Sequence, residues 1–239
     1  MTTLAKILVT LCLSLACCSC NVVFDGIRGE GEVVRKERTI NADFDAVKAS
    51  RGLDVILVND GDNKVIVEAN KNLHEHIEVY VKENTLHVTS DQNIYSADEK
   101  NVFVSYDKIN QLKVNSGASI SAQEPVVQKE LNLSATSGAD IRLNVKAETL
   151  SSSVTSGAMI DLSGKVNNHK ASATSGANIR AKDLLSLVSE AKATSGASIR
   201  IHAKNEFKGK ATSGADVVYY GKPETVSEED NSGGNVRRH

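Results

Sequence analysis

Tryptophan is missing from this chain, and 239 residues hold two prolines, four phenylalanines and five tyrosines. A core built on bulky aromatic rings is therefore excluded. Burial has to come from Val, Ile, Leu and Ala, which suit thin, regular layers. Cysteine is nearly as scarce: Cys12, Cys17, Cys18 and Cys20 all fall in the first twenty residues. The rest of the chain has no disulfide framework and no thiolate chemistry. Neither sign of charge dominates, with 28 Lys and Arg against 30 Asp and Glu, so there is no global field that would favour nucleic acid. After residue 20 no apolar run approaches the ~18 residues of a spanning helix.

The first twenty residues are the exception. Lys6 precedes an apolar run from Ile7 to Ala16, too short to span a bilayer and of the length of a secretory h-region. Residues 1–19 resemble a bacterial lipoprotein signal peptide, in which cleavage just before a cysteine leaves it to carry acyl chains, palmitate among them. Cys20, preceded by Ser19, is the expected lipidation site, with Cys17 and Cys18 as alternatives, and a cleaved signal with incidental cysteines is the plainer reading. Lipidation would anchor the protein to a membrane without threading it through. Residues 20–38 read as a tether leading into a first strand near Val33–Val34. The Gly29-Glu30-Gly31 stretch lacks the Lys-Ser/Thr and third glycine of a phosphate loop.

Residues 39–113 alternate apolar and polar positions in short β-branched runs: LDVILV, KVIVEA, HIEVYVKE, TLHVTS and NVFVSY. This pattern predicts short antiparallel strands with one buried face. Hairpins are expected at Val58–Asn63, through Asp60-Gly61, and at Lys82-Glu83-Asn84. His74 and His76, two apart on an expected strand, would face one way and could share a metal. With no third ligand at hand they read as surface histidines, and no metal site is predicted.

From residue 114 one phrase recurs: Ser116-Gly117-Ala118-Ser119-Ile120, then copies beginning at Ser137, Ser156, Ser175, Ser195 and Ser213, and a worn copy at Ser232. The serines are 21, 19, 19, 20, 18 and 19 residues apart. Self-similarity at such a period signals stacked coils. Three columns share inward parity: Ile120 with Ile141, Ile160, Ile179, Ile199 and Val217; the residues two further on, from Ala122 to Tyr219; and Ala135, Val154, Ala173, Ala193 and Ala211. The threonine before each Ser-Gly would form a hydroxyl ladder that satisfies the turn amides. Ser50-Arg51-Gly52-Leu53-Asp54-Val55 is a distant copy of the phrase. The expected fold is all-β: a parallel β-helix of about six ~19-residue coils over residues 114–222, with antiparallel strands on its N-terminal side and residues 223–239 as a polar tail or cap.

Ile27-Arg28-Gly29-Glu30-Gly31-Glu32-Val33-Val34 through Arg38, the FDAVKAS opening at Phe44–Ser50 and the serial Ser-Gly-Ala-x-Ile copies together resemble the head GIN domain family of auto-transporter adhesins. The resemblance implies a right-handed β-helix, a secreted or surface lipoprotein of the cell envelope (outer membrane, facing periplasm or cell surface) and no established enzyme activity or cofactor. It carries little mechanism.

The residue after each inward Ile or Val points outward and reads Ser121, Arg142, Asp161, Arg180, Arg200, Val218. One reading is an alternating-charge ladder on a solvated face. The other is a site for an acidic glycan held by Arg142, Arg180 and Arg200. No catalytic residues are predicted: Asp140, Asp161 and Asp216 form no acidic cluster, and Tyr219-Tyr220 offer the one aromatic platform for a sugar. Three functions follow: a non-enzymatic, lipid-anchored module binding a glycan or surface protein; a pectin lyase-like polysaccharide enzyme; and a structural, self-associating envelope component.

Overall fold

A two-residue side-chain period that returns every nineteen residues can bury one face of every copy only if the copies stack in register. They do. The computed structural model describes residues 26–40, 42–61 and 64–239; Cys17, Cys18 and Cys20 lie outside them. Its first part contains β1 (Ile27–Arg28), β2 (Val33–Arg38), β3 (Ala46–Ala49), β4 (Asp54–Val58), β5 (Val65–Asn70), a 3-10 turn (Lys71–Glu75), β6 (Ile77–Lys82), β7 (Thr85–Ser90), β8 (Ile94–Ser96) and β9 (Lys100–Ser105). The repeat region contains β10 (Gln111–Val114), β11 (Ser119–Ala122), β12 (Val126–Ala135), β13 (Asp140–Val154), β14 (Met159–Thr174), β15 (Asn178–Thr194), β16 (Ser198–His202), β17 (Glu206–Thr212), β18 (Asp216–Tyr220), β19 (Thr225–Asn231) and β20 (Asn235–Arg238). The result is a β-solenoid of about seven turns.

One column runs the length of the solenoid. Val102 pairs with Val55, Val55 with Ile120, and Ile120 with Ile141, Ile160, Ile179, Ile199, Val217 and Val236 in succession. All are buried. Leu143, Leu162, Ala181, Ile201 and Tyr219 fill a second column, and Ala135, Val154, Ala173, Ala193 and Ala211 a third. Fully burying each large aliphatic side chain contributes about 2 kcal/mol, so the columns are the main source of stability.

Each Ser-Gly corner is a turn with two consecutive left-handed residues. The serines have φ of 51–56° and the glycines that follow 68–75°, the signature of a type I′ turn. It is closed by the Ala N–H donating to the Thr carbonyl at 3.3 Å in the copies at Ala158, Ala177, Ala197 and Ala215. The turns also bond to one another: Gly117, Gly138 and Gly157 donate their N–H groups to the Ser137, Ser156 and Ser175 carbonyls of the next coil, each at 3.2 Å. The turn amides are thus satisfied by main-chain carbonyls. The threonine hydroxyls instead lie 3.4–3.5 Å from the adjacent serine hydroxyls, which corrects the expectation that they serve the turn amides. Arg51 and Gly52 adopt the same pair of angles, 57° and 70°, and Gly52 N–H donates to the Ser116 carbonyl at 3.0 Å. The distant copy is therefore a true corner of the same stack.

Antiparallel pairing is present on the N-terminal side: β2 with β5, β5 with β9, and β6 with β7. Strands β3, β4, β7, β9 and β10 belong instead to the parallel stack. The order is not sequential. The coil made by β3 and β4 lies between the coil made by β7 and β9 and the one opened by β10 and β11. The chain lays down its second coil first, builds the end cap, returns for the first coil and then passes to the third. For this reason the hairpin expected across Val58–Asn63 does not form, because β9 pairs with both β4 and β5 and so lies between them. The one expected at Lys82–Asn84 does form, with Glu83 and Asn84 at φ 51° and 55°. Leu73 and His74, in the 3-10 turn, are buried in the cap.

Candidate functional site

The outward column beside the main Ile column is in register from coil to coil. Ser121 pairs with Arg142, Arg142 with Asp161, Asp161 with Arg180, Arg180 with Arg200, Arg200 with Val218, and Val218 with Arg237. At one strand spacing per coil, Arg180 and Arg200 stand ~4.8 Å apart along the axis and Arg142 and Arg180 about twice that. All three arginines are exposed. Asp161 sits in register between two of them, yet among the described residues no ion pair within 4 Å joins any member of this set; Arg237 alone reaches a carboxylate, Asp216, at 3.5 Å. Val218, expected outward, is 2% exposed. Its register neighbours are Arg200 and Arg237, whose long stems can cover an apolar side chain while their charges stay in water.

The other half of each coil behaves differently. There Lys192 meets Glu190 at 2.9 Å, Lys170 approaches the same carboxylate at 4.0 Å, and Lys210 pairs with Glu229. The hydrogen bond from Lys192 holds the Glu190 carboxyl below its usual value. Lys170, Lys192 and Lys210 are thus engaged by carboxylates of the same or the next strand, whereas Arg142, Arg180 and Arg200 remain available to an external anion.

At the bend between the two halves of the long strands the surface folds into a groove of about 840 Å³. Nothing in the periodicity singled it out; the available signal was apolar residues at outward parity in Val126-Val127 and Leu184-Leu185-Ser186-Leu187. Ser186 and His202, which line it, belong to a run of buried polar contacts. The Ser186 and Ser189 hydroxyls both donate to the His202 carbonyl, the latter at 2.8 Å. His169, 2% exposed, shares a hydrogen bond of 2.9 Å with Ser152 through Nε2. Burial lowers its pKa to about 4, so the ring is neutral at physiological pH.

The paired-histidine reading is not supported by the geometry. His74 and His76 flank the end of a 3-10 turn, not a strand. His74 is buried, with Nε2 3.1 Å from the Val34 carbonyl, while His76 Nδ1 lies 3.0 Å from Asp91. His74 is thus a core-side histidine and not a surface one. Among the described residues no three His, Cys, Asp or Glu side chains gather to hold a metal. Asp54 and Asp140 are separated by Ser119, whose hydroxyl donates to Asp54 at 2.6 Å. Tyr219 is also withdrawn from any sugar: it is 5% exposed and stacks on Phe207 with ring centroids 4.1 Å apart. Tyr220 stacks on His239 at 4.5 Å. No helix among the described residues is long and apolar enough to cross a membrane.

A family profile described as "Putative auto-transporter adhesin, head GIN domain" matches residues 43–223. Crystal structures that share the fold include three from Bacteroides and Parabacteroides. A putative adhesin from Bacteroides fragilis superposes with a TM-score of 0.82 at 15% identity, over 90% of this chain and 100% of its own. A putative lipid binding protein from Parabacteroides distasonis gives 0.73 at 16% identity, over 89% and 99%. A putative adhesin from Parabacteroides merdae gives 0.68 at 20% identity, over 90% and 99%. A search of curated proteins finds no match.

Proposed function

The chain belongs to the head GIN domain family of auto-transporter adhesins, and on that premise we propose that it is a non-catalytic binding module of the cell envelope, anchored through a lipidated Cys20, whose arginine column holds an acidic glycan. The observation that carries the reading is the contrast between the two strand faces. Lys170, Lys192 and Lys210 on one meet glutamates, while Arg142, Arg180 and Arg200 stand exposed, in register and, among the described residues, without an ion pair within 4 Å. A guanidinium presents a planar fork that binds carboxylate or sulfate in two-point fashion. Rigid spacing along the solenoid suits a polymer with regularly placed anions. The adhesin names of the Bacteroides and Parabacteroides structures agree with a surface-binding role.

A glycan array probed with the purified protein tests this. Acidic glycans should bind in a salt-sensitive manner, neutral ones should not, and Arg142→Ala/Arg180→Ala/Arg200→Ala should lower binding at least about tenfold, the equivalent of ~1.4 kcal/mol. Equal binding by the triple variant would remove the arginine column from the reading. Release of unsaturated sugars from an acidic polysaccharide would remove the non-catalytic assignment. For the anchor, mass spectrometry of the mature N-terminus should find an acylated Cys20; an unmodified residue there would sink that element.

A further inference from the structure

The groove at the strand bend has a composition of its own. Its floor is apolar, with Ala147 and Val166 from successive coils. Its walls carry Val127, Leu185 and Leu187, which are 54%, 45% and 39% exposed. These are three of the seven large hydrophobic side chains exposed among the described residues, and they are gathered in one concave place. Outward positions elsewhere on the strands are predominantly polar, so the cluster is not a by-product of the repeat.

A local insertion decides which leucine it displays. The register between β14 and β15 shifts between Asp161 and Ser163, so that Ser163 faces Asp183 and Lys165 faces Leu185. Without the extra residue on β15, Leu185 would stand opposite the inward Val166. The bulge exchanges the two leucines: unshifted, Leu184 would stand opposite the exposed Lys165, whereas with the shift Leu184 is fully buried and Leu185 faces out.

Cations surround this apolar surface. Lys129, Lys146, Lys165 and Lys204 line the groove against one carboxylate, Glu148. None of these five groups is in an ion pair within 4 Å among the described residues. Lys146 and Lys165 are register partners on adjacent coils, ~4.8 Å apart. They form a two-cation clamp beside the leucines.

We propose that this groove binds a long-chain fatty acid, its carboxylate between Lys146 and Lys165 and its acyl chain along Ala147, Val166, Leu185 and Leu187. Charge and shape select this occupant. A second copy of the chain would oppose one lysine rim to another. A glycan, polar along its length, would leave Val127, Ala147, Val166, Leu185 and Leu187 without an apolar partner. An added peptide strand needs a free sheet edge, and the groove-lining strands are already paired on both sides, as Lys146 is with Val127 and Lys165. An anionic amphiphile matches both the apolar floor and the unpaired rim. The residues assigned to the acyl chain, from Ala147 to Leu187, span three coils, two spacings or ~10 Å, which holds the first part of an extended chain; the rest runs on past the coil that carries Lys204.

The inference is independent of the glycan reading, because its residues are different. Calorimetric titration of the full protein with palmitate, and with hexadecanol as the neutral counterpart, tests it. Palmitate should bind one to one. Lys146→Ala/Lys165→Ala should weaken palmitate at least about tenfold and leave hexadecanol unchanged. Leu185→Asp/Leu187→Asp should abolish both, with an unaltered circular dichroism spectrum because both side chains lie outside the core. The Arg142/Arg180/Arg200 triple variant should bind palmitate as the parent does. No binding of palmitate, or equal binding by the leucine variant, would overturn the proposal. So would light scattering that finds a dimer converted to monomer by Leu185→Asp/Leu187→Asp, since the groove would then be occupied by a second copy.

Discussion

At the scale of single residues, two glycines separate strain from collision. Gly157 sits at φ 69° and a Cβ there would meet nothing within 4 Å; Gly164 sits at φ 111° and a Cβ would run into the Val145 carbonyl oxygen. Gly157→Ala therefore costs only left-handed backbone strain, about 1 kcal/mol. Gly164→Ala adds a backbone clash that no side-chain rotation relieves and should cost about 3 kcal/mol or more. Urea unfolding of the two variants checks the difference. His169 supplies a second prediction. Its folded pKa, about 4, lies below the ordinary 6.5, so the unfolded chain takes up a proton over a range in which the folded one does not. The neutral ring's contribution is fully present above pH 6.5 and is lost as pH falls from there towards 4, in total about 3 kcal/mol. Its column neighbours are Leu150 and Ser189, so His169→Leu fits by shape. Melting temperatures of this variant should lose that part of the acid dependence; an unchanged slope would mean other groups govern it.

At the scale of elements, the two ends of the solenoid are built differently. The coil of β3 and β4 is held between β7 and β9 on one side and β10 and β11 on the other, so chain segments distant in sequence must assemble together. The far end is a plain stack. There Phe207 and Tyr219 close the core, β19 is exposed throughout, and of β20 only Val236 is buried. In a stacked repeat each coil is stabilised by its neighbours, and an end coil lacks one. Hydrogen exchange should therefore show β19 and β20 opening first, by local fraying, while β3, β4, β7 and β9 exchange together in the slowest class. Val55→Ala, which removes a buried branch at about 2 kcal/mol or more, should accelerate those four strands as a group and leave β19 and β20 as they were.

At the scale of the whole molecule, stability and recognition are carried by opposite faces of the same strands. Inward positions fill the columns, while outward ones carry the arginine column and the groove. The triple Arg→Ala variant should thus unfold within about 0.5 kcal/mol of the parent per substitution, even where glycan binding is lost. A large loss of stability would mean that the arginines serve the fold, with binding affected only indirectly. Calorimetry on the variant distinguishes the two roles.

The repeat of Ser-Gly-Ala-x-Ile was sufficient to specify stacked coils, the three buried columns and the register of Arg142, Asp161, Arg180 and Arg200. Side-chain parity and a constant period act locally, and each copy repeats the same instruction. Even the corner at Arg51-Gly52 was legible, because Gly52 keeps the one residue type at ease in its angle. What only the tertiary structure decided depends on which distant segments meet. The intercalation of the β3–β4 coil, the failure of the Asp60-Gly61 turn to make a hairpin, the burial of His74 and Val218 and the groove of Leu185, Leu187, Lys146 and Lys165 all arise from long-range pairing. Alternation along a strand is the same whether its neighbour is parallel or antiparallel, adjacent in sequence or forty residues away. A one-residue bulge that turns Leu185 outward leaves composition and period almost untouched, so its effect becomes visible only once the next coil is laid against it.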